Sequence, residues 1–154
     1  MISVITMYNN IYLDVCALCR PYDDQSYSRI HLETVAVHLI LKAVENGLYS
    51  MITSPVHRAE ISAIGDDHER VDLLYLLDKM SIQEKFEQRA LRRRAEKLFD
   101  FGFGPADAAH LAFAEAAQAD FISCDDKLIK KCAKINLTLW VGNPIAFCDK
   151  EDLR

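Results

Sequence analysis

Glycine and proline are scarce, five and four among 154 residues, and no stretch reads as a linker, which excludes fibrous and disordered classes. No apolar run is long enough to cross a bilayer. The N-terminus lacks a charged segment followed by an apolar core, so neither insertion nor secretion is expected. The five cysteines (Cys16, Cys19, Cys124, Cys132, Cys148) are an odd set without disulfide-scaffold spacing, which points to reduced thiols and a cytoplasmic protein. An excess of basic residues is missing as well. The formal charge of −5 argues against a passive nucleic-acid binder, though not against a nuclease whose acids are neutralised by metal ions. No aromatic platform for base stacking is evident, so sequence preference on a nucleic acid is unreadable.

What remains is ordinary globular composition, 51% apolar and 27% charged. The length fits a single domain, residues 1–154 with a core of about 10–147, large enough to bury a real interior. The opening "MISVITMYNN" reads as an extension before a start at Met7. A first strand is expected from Ile11 to Asp14, then a polar loop "RPYDDQS" and a long helix from Tyr27 to Asn46, closed by Gly47. "LYSMITS" is β-rich, and Ser54 caps a helix with Pro55 at its first position. "GDDHER" separates this helix from another over Val71–Lys79, followed by a short strand near Met80–Gln83 and a charged helix over Glu84–Asp100. After "FGFG", Pro105 opens an alanine-rich helix, "ADFIS" is a buried strand, Asp126–Lys134 a short helix and "LTLWV" a last strand. Strands alternating with helices imply an α/β fold with a parallel sheet.

Four acids stand in apolar surroundings. Asp14 closes "IYLD", Glu60 interrupts "SPVHRAEISAI", Asp107 opens "DAAHLAFAEAA" and Asp125 follows "ADFISC". A carboxylate so placed loses hydration unless it is paired or metal-bound, and several together repel one another. In open parallel sheets ligands gather beyond the carboxyl ends of the strands, near the point where strand order reverses. Asp14 and Asp125 end expected strands. Glu60 and Asp107 lie on helices that begin at the same edge, Asp107 in a first turn where the helix dipole favours an anion. All four therefore converge on one cleft. Hard oxygen ligands suit Mg²⁺ or Mn²⁺, one ion or two, and such ions activate water and stabilise a departing oxygen, which suggests phosphodiester hydrolysis. Taken singly, each acid is as well explained by helix capping or an ion pair; four at strand ends and helix starts are not.

These residues carry a family resemblance. "YLDVC", the Glu of "RAEIS", "DAAHLAFAEAAQAD" and "FISCDDKLIK" follow one another in the order of acids found in PIN domains, and "YLDVCALCRPYDDQSYSRIHLE" resembles a bacterial PIN subgroup with an "RPFDDQS"-type loop. The similarity runs from about Asn10 to Phe147. It implies a three-layer α/β/α sandwich around a central parallel sheet, a metal-dependent ribonuclease, and Asp14, Glu60, Asp107 and Asp125 as the acids that hold Mg²⁺ or Mn²⁺. Asp14, Asp107 and Asp125 would be principal ligands, with Glu60 direct or acting through water. Many such proteins are toxins restrained by a small antitoxin and assemble as homodimers, so RNA, an antitoxin and a second copy are the implied partners. The sequence departs from the family pattern at Val15, where a small hydroxyl residue is common, and at Ser123, where Thr is usual. Two rival classes are a PIN-fold module that binds RNA or protein without cutting, and a phospho-acceptor receiver domain. The receiver is disfavoured because the middle acids sit within helices.

Other residues admit two roles. His110, three positions after Asp107, either orients a carboxylate or water, or is a core histidine bonded to backbone, the preferred role. Asp126 is an outer ligand or caps the following helix. Asp23, Asp24, Gln25 and Ser26 touch substrate or a second subunit, or cap the long helix. Cys16 and Cys19 form a CxxC without a second pair, which makes zinc improbable, and Cys124 is expected to be buried packing. Arg20 and Arg29 are candidates for phosphate contact. Lys127, Lys130, Lys131 and Lys134 follow Asp125 closely enough to meet an RNA backbone, whereas Arg89, Arg92, Arg93, Arg94 and Lys97 read as a solvated helix face.

Overall fold

The computed structural model describes residues 9–154, and the expected extension up to Met7 lies outside the described residues. Strand β1 (Asn10–Leu13) leads through α1 (Val15–Cys19), a 3-10 turn (Arg20–Tyr22) and α2 (Ser28–Glu45) to β2 (Ser50–Ile52). Helices α3 (Pro55–Ser62) and α4 (Asp67–Met80) connect β2 to β3 (Ser81–Ile82). From there α5 (Gln88–Asp100) and α6 (Pro105–Ala116) cross to β4 (Asp120–Ile122), followed by α7 (Asp126–Ala133), β5 (Val141–Gly142) and α8 (Pro144–Glu151).

The strands pair in the order β3-β2-β1-β4-β5, all parallel. Ile11 faces both Met51 and Asp120, and Leu13 faces Ile122. Strand β1 is thus central, and the chain moves outward from it in opposite directions, which makes the β1–β4 boundary the switch point of the sheet. A receiver-type sheet has the order 2-1-3-4-5, so that rival is set aside on topology.

Period-2 alternation divides the strands between two cores. Ile11, Leu13, Met51 and Ile122 pack on one face with Val37 and Ile40 of α2, Ile61 of α3, Leu73 and Leu77 of α4 and Phe147 of α8. Tyr12, Ile52 and Phe121 pack on the other with Leu91 and Leu98 of α5, Leu111 and Ala112 of α6 and Leu128 of α7. The result is a three-layer α/β/α sandwich. Burial of each large aliphatic or aromatic side chain contributes about 1.5–3 kcal/mol.

Several boundaries differ from the sequence expectation for local reasons. Helix α4 starts at Asp67 rather than Val71, because Asp66 accepts the Glu69 amide at 2.9 Å and Asp67 and Glu69 suit the positive first turn. Helix α5 starts at Gln88 rather than Glu84, because Glu87 caps it through the Arg89 and Ala90 amides. The long helix starts where expected, but its cap position is Tyr27 and no side chain caps it. Asp23, Asp24, Gln25 and Ser26 therefore do not have the capping role. Asp24 accepts the Ser26 amide at 3.0 Å, and the Gln25 amide nitrogen donates to the carbonyls of Arg20 and Asp23. Gly47, at φ +80°, follows α2 as its sequence suggested. Two helices were not anticipated: α1, capped by Asp14, and α8, capped by Asn143 with Pro144 behind it. Among the described residues no helix is long and apolar enough to cross a membrane.

Candidate active site

The switch point brings the first and last acids together through backbone. The Asp14 amide still bonds to the Ile122 carbonyl of β4 at 2.8 Å, so the residue after β1 is held at the sheet edge. Its side chain, 6% exposed, turns back to accept the Val15 amide at 2.8 Å on Oδ1, which makes it the cap of α1. Oδ2 accepts the Ser123 hydroxyl at 2.9 Å, and the same Ser123 oxygen accepts the Asp125 amide at 3.0 Å. One hydroxyl thus ties two acid-bearing segments. The Asp125 carboxylate is exposed, and its Oδ1 caps α7 through the amides of Lys127 and Leu128 at 3.0 and 3.2 Å. Capping at this helix therefore belongs to Asp125, not Asp126. Asp126 pairs with Arg29 at 2.6 and 2.7 Å, which holds its carboxyl below the ordinary range.

The other two acids arrive on helices. Glu60 is in α3, and its Oε1 is hydrogen-bonded to His110 Nε2 of α6. The bond keeps the Glu60 carboxyl below its ordinary range, against the opposing effect of burial. His110 Nε2 also lies 4.0 Å from Asp14 Oδ1, which places Asp14, Glu60 and the α6 turn carrying Asp107 around a single ring. Asp107 is half-buried, and among the described residues no side-chain or backbone donor meets its carboxylate. Burial raises its carboxyl above the ordinary range, and the negative charges of Asp14, Asp125 and Glu60 add to that. Asp107 thus feels the charge of each of the other three acids. A divalent cation would relieve that repulsion, and the oxygen donors are of the kind Mg²⁺ and Mn²⁺ take. Among the described residues no three His, Cys, Asp or Glu side chains stand close enough to form a ready ligand group. The acids gather in one region without yet forming a cage.

Beneath the acids lies a buried polar cluster that residue spacing barely foreshadows. Tyr12, Ser54, His57 and His110 are each at most 1% exposed. The Tyr12 hydroxyl lies 2.8 Å from Ser54 Oγ and 2.6 Å from His110 Nδ1. His110 is thus bonded to two side chains, not to backbone as preferred above. His57 has the backbone role instead: Nδ1 accepts the Ser54 amide at 3.1 Å and Nε2 donates to the Leu13 carbonyl at 2.7 Å. Both bonds are satisfied only by the neutral Nε2–H ring, and burial with the neighbouring His110 pushes its pKa down to about 4. The available signals were a Ser-x-x-His at a helix start and a tyrosine within an apolar strand.

The remaining candidates separate cleanly. Arg20 and Arg29 both reach the fully buried Glu33 at 3.3 Å, and each has a second acid, Asp23 or Asp126. Their charge is already matched, which weakens the case for phosphate contact. Lys131 donates to the Gly102 carbonyl at 2.8 Å, while Lys127 and Lys130 are exposed on the helix that begins at Asp125. Arg94 pairs with Glu115, and Arg89, Arg92, Arg93 and Lys97 are solvated. Cys124 is buried, and its amide donates to Cys16 Sγ at 3.3 Å. An apolar groove of about 380 Å³ between α5 and α6 is lined by Leu91, Ala95, Ala112 and Phe113, with none of the four acids on its wall.

Comparison with known proteins bears on this geometry. The crystal structure of FitAcB from Neisseria gonorrhoeae is similar in fold, with a TM-score of 0.52 and 13% identity, covering 87% of this chain and 97% of that one. FitAB bound to an IR36 DNA fragment is similar at a TM-score of 0.53 and 13% identity, covering 88% and 95%. No curated protein matches in sequence. The family model for the PIN domain matches residues 11–134, a span that contains Asp14, Glu60, Asp107 and Asp125. With that match over most of its length and the parallel sheet described above, the chain belongs to the PIN domain family.

Proposed function

We propose that this protein is a Mg²⁺- or Mn²⁺-dependent ribonuclease, a single PIN unit in which Asp14, Asp107 and Asp125 hold the metal and Glu60 holds it directly or through water. The observation that carries the proposal is the half-buried carboxylate of Asp107, without a protein hydrogen-bond donor among the described residues, raised first by burial and then by Asp14, Asp125 and Glu60, at the switch point of the sheet. Like charge gathered in this way favours a bound cation. When bound, the metal supplies an activated water and stabilises the leaving oxygen of the phosphodiester. The chain's own residues prepare for this. Ser123 fixes Asp14 Oδ2 and the start of the Asp125 turn, the Val15 amide fixes Asp14 Oδ1, and Asp107 is left free to turn toward a ligand. Lys127 and Lys130 are the cations best located to meet the RNA backbone beside Asp125. An antitoxin partner and a homodimer follow from the family resemblance, a cytoplasmic setting from the unpaired cysteine spacing, and all three belong to the same proposal.

Incubation with labelled RNA, with and without Mn²⁺, tests the assignment. Cleavage that needs Mn²⁺ and disappears in Asp14→Asn is expected; turnover unchanged in that variant under chelation ends the idea. A PIN-fold module that binds RNA or protein without cutting is the second possibility, favoured by the lack of a ready ligand group among the described residues. The same assay separates the two, since that module would retain RNA without shortening it.

A further inference from the structure

Two buried histidines lie in ring contact, with centroids 4.9 Å apart, yet they are used differently. His57 spends both nitrogens on backbone, as a structural histidine does. His110 spends both on side chains, and one of these is an acid of the proposed site. Its bonds form a closed circuit. Ser54 starts the helix that carries Glu60, Tyr12 lies in β1 two residues before Asp14, and His110 lies in α6 one turn after Asp107. Ser54 to Tyr12, Tyr12 to His110 and His110 back to Glu60 therefore join the three elements that deliver three of the acids.

The direction of the circuit follows from which groups can donate. An ionised Glu60 can only accept, so Nε2 carries the hydrogen. In the neutral ring Nδ1 is then bare, so the Tyr12 hydroxyl would donate to it and the Ser54 hydroxyl would donate to the Tyr12 oxygen. Resting on the nuclease assignment above, we propose that His110 is a positioning residue: through Nε2–H it holds Glu60 Oε1 and leaves Oε2 as the single oxygen offered to the Asp14–Asp107 side. Tyr12 and Ser54 select the tautomer that makes this possible. Histidines that ligate metals are commonly oriented by a carboxylate behind them. Here the roles are exchanged, with the histidine behind the carboxylate.

The test compares His110→Leu, which removes both nitrogens, His110→Gln, which restores a donor near the Nε2 position, and Tyr12→Phe. Mn²⁺ affinity is measured by titration calorimetry, RNA cleavage as kcat and KM, and folding by circular dichroism. His110→Leu is expected to lose about 10–100-fold in Mn²⁺ affinity, the usual cost of removing an outer partner, with kcat falling more than KM rises. His110→Gln should recover to within a few-fold of the unmodified protein, and Tyr12→Phe should fall between. Should His110→Leu fail to fold, ¹⁵N chemical shifts of His110 in the unmodified protein decide: a protonated Nε2 with bare Nδ1 supports the circuit, and the opposite tautomer overturns it. Mn²⁺ affinity in a folded His110→Leu equal to the unmodified protein's, or His110→Gln as impaired as the leucine variant, overturns the inference alone. An unmodified protein that neither binds Mn²⁺ nor cleaves RNA overturns the nuclease assignment and this inference with it.

Discussion

Asp14 and Asp125 reach the cleft from strand ends, whereas Glu60 and Asp107 reach it from helices, and the two pairs are held by different means. The strand-end pair is fixed by backbone: the Asp14 amide on Ile122, the Val15 amide on Asp14 Oδ1, two amides on Asp125 Oδ1, and Ser123 between them. Of the helical pair, Glu60 is held by one imidazole and Asp107 by no donor among the described residues. Hydrogen bonds to a carboxylate favour its ionised form, whereas burial without them does not. The cleft thus combines a strand-end pair tied by backbone, Glu60 tied by a single side chain, and Asp107 without a donor among the described residues.

The largest effect should come from disrupting the rigid pair. Asp14→Asn preserves the acceptor for the Val15 amide while removing the charge, so RNA cleavage should fall about a hundred- to a thousand-fold with an almost unchanged melting curve. Mn²⁺ at a hundred times its Kd should stabilise the unmodified protein by about 2.7 kcal/mol, seen as a raised Tm, and Asp14→Asn should lose that gain. Next in size is Ser123→Ala, which unties Asp14 from Asp125. Cleavage should drop about 10–100-fold and stability by about 1–3 kcal/mol, while Ser123→Thr restores both. Equal behaviour of the alanine and threonine variants would remove Ser123 from the account.

A smaller effect concerns the foundation of the helical pair, because His57 joins the start of α3 to the end of β1. Unfolded histidine takes up a proton near pH 6.5, but this ring does so only at about 4. Between those values the unfolded chain binds the extra proton. The contribution is therefore complete above about pH 6.5 and is lost as pH falls toward 4, about 2 kcal/mol between pH 7 and 5. His57→Gln, the ordinary capping-box residue, should flatten denaturant midpoints measured across that window. The least effect is expected from Asp126→Asn. Breaking an exposed pair with Arg29 should cost less than about 1 kcal/mol and leave cleavage within two-fold, in contrast to its neighbour Asp125.

The fold was largely legible because apolar strands alternate with helices that announce their starts. Ser54-Pro55 and Gly104-Pro105 signal helix openings that the structure bears out, and Asn143-Pro144, not among the expected starts, carries the same signal. Helix α1 was hidden for a different reason: its cap is Asp14, a residue already assigned to the cleft. The region in which the acids gather could be inferred from strand ends and first turns. Its interior could not, since nothing in spacing alone joins Tyr12, Ser54 and His110, which are brought together by the β1–β2 pairing and the crossover from β3 to β4. Asp125 rather than Asp126 caps α7 because capping depends on backbone conformation at a single position, and Asp125 is the residue with extended geometry there.

Both outer strands of the sheet, Ser81–Ile82 and Val141–Gly142, are only two residues long. A border that short offers little backbone for another chain to extend, so growth by strand addition is discouraged on either side. Association with a second copy or with another protein is left to the outward surfaces of the helices.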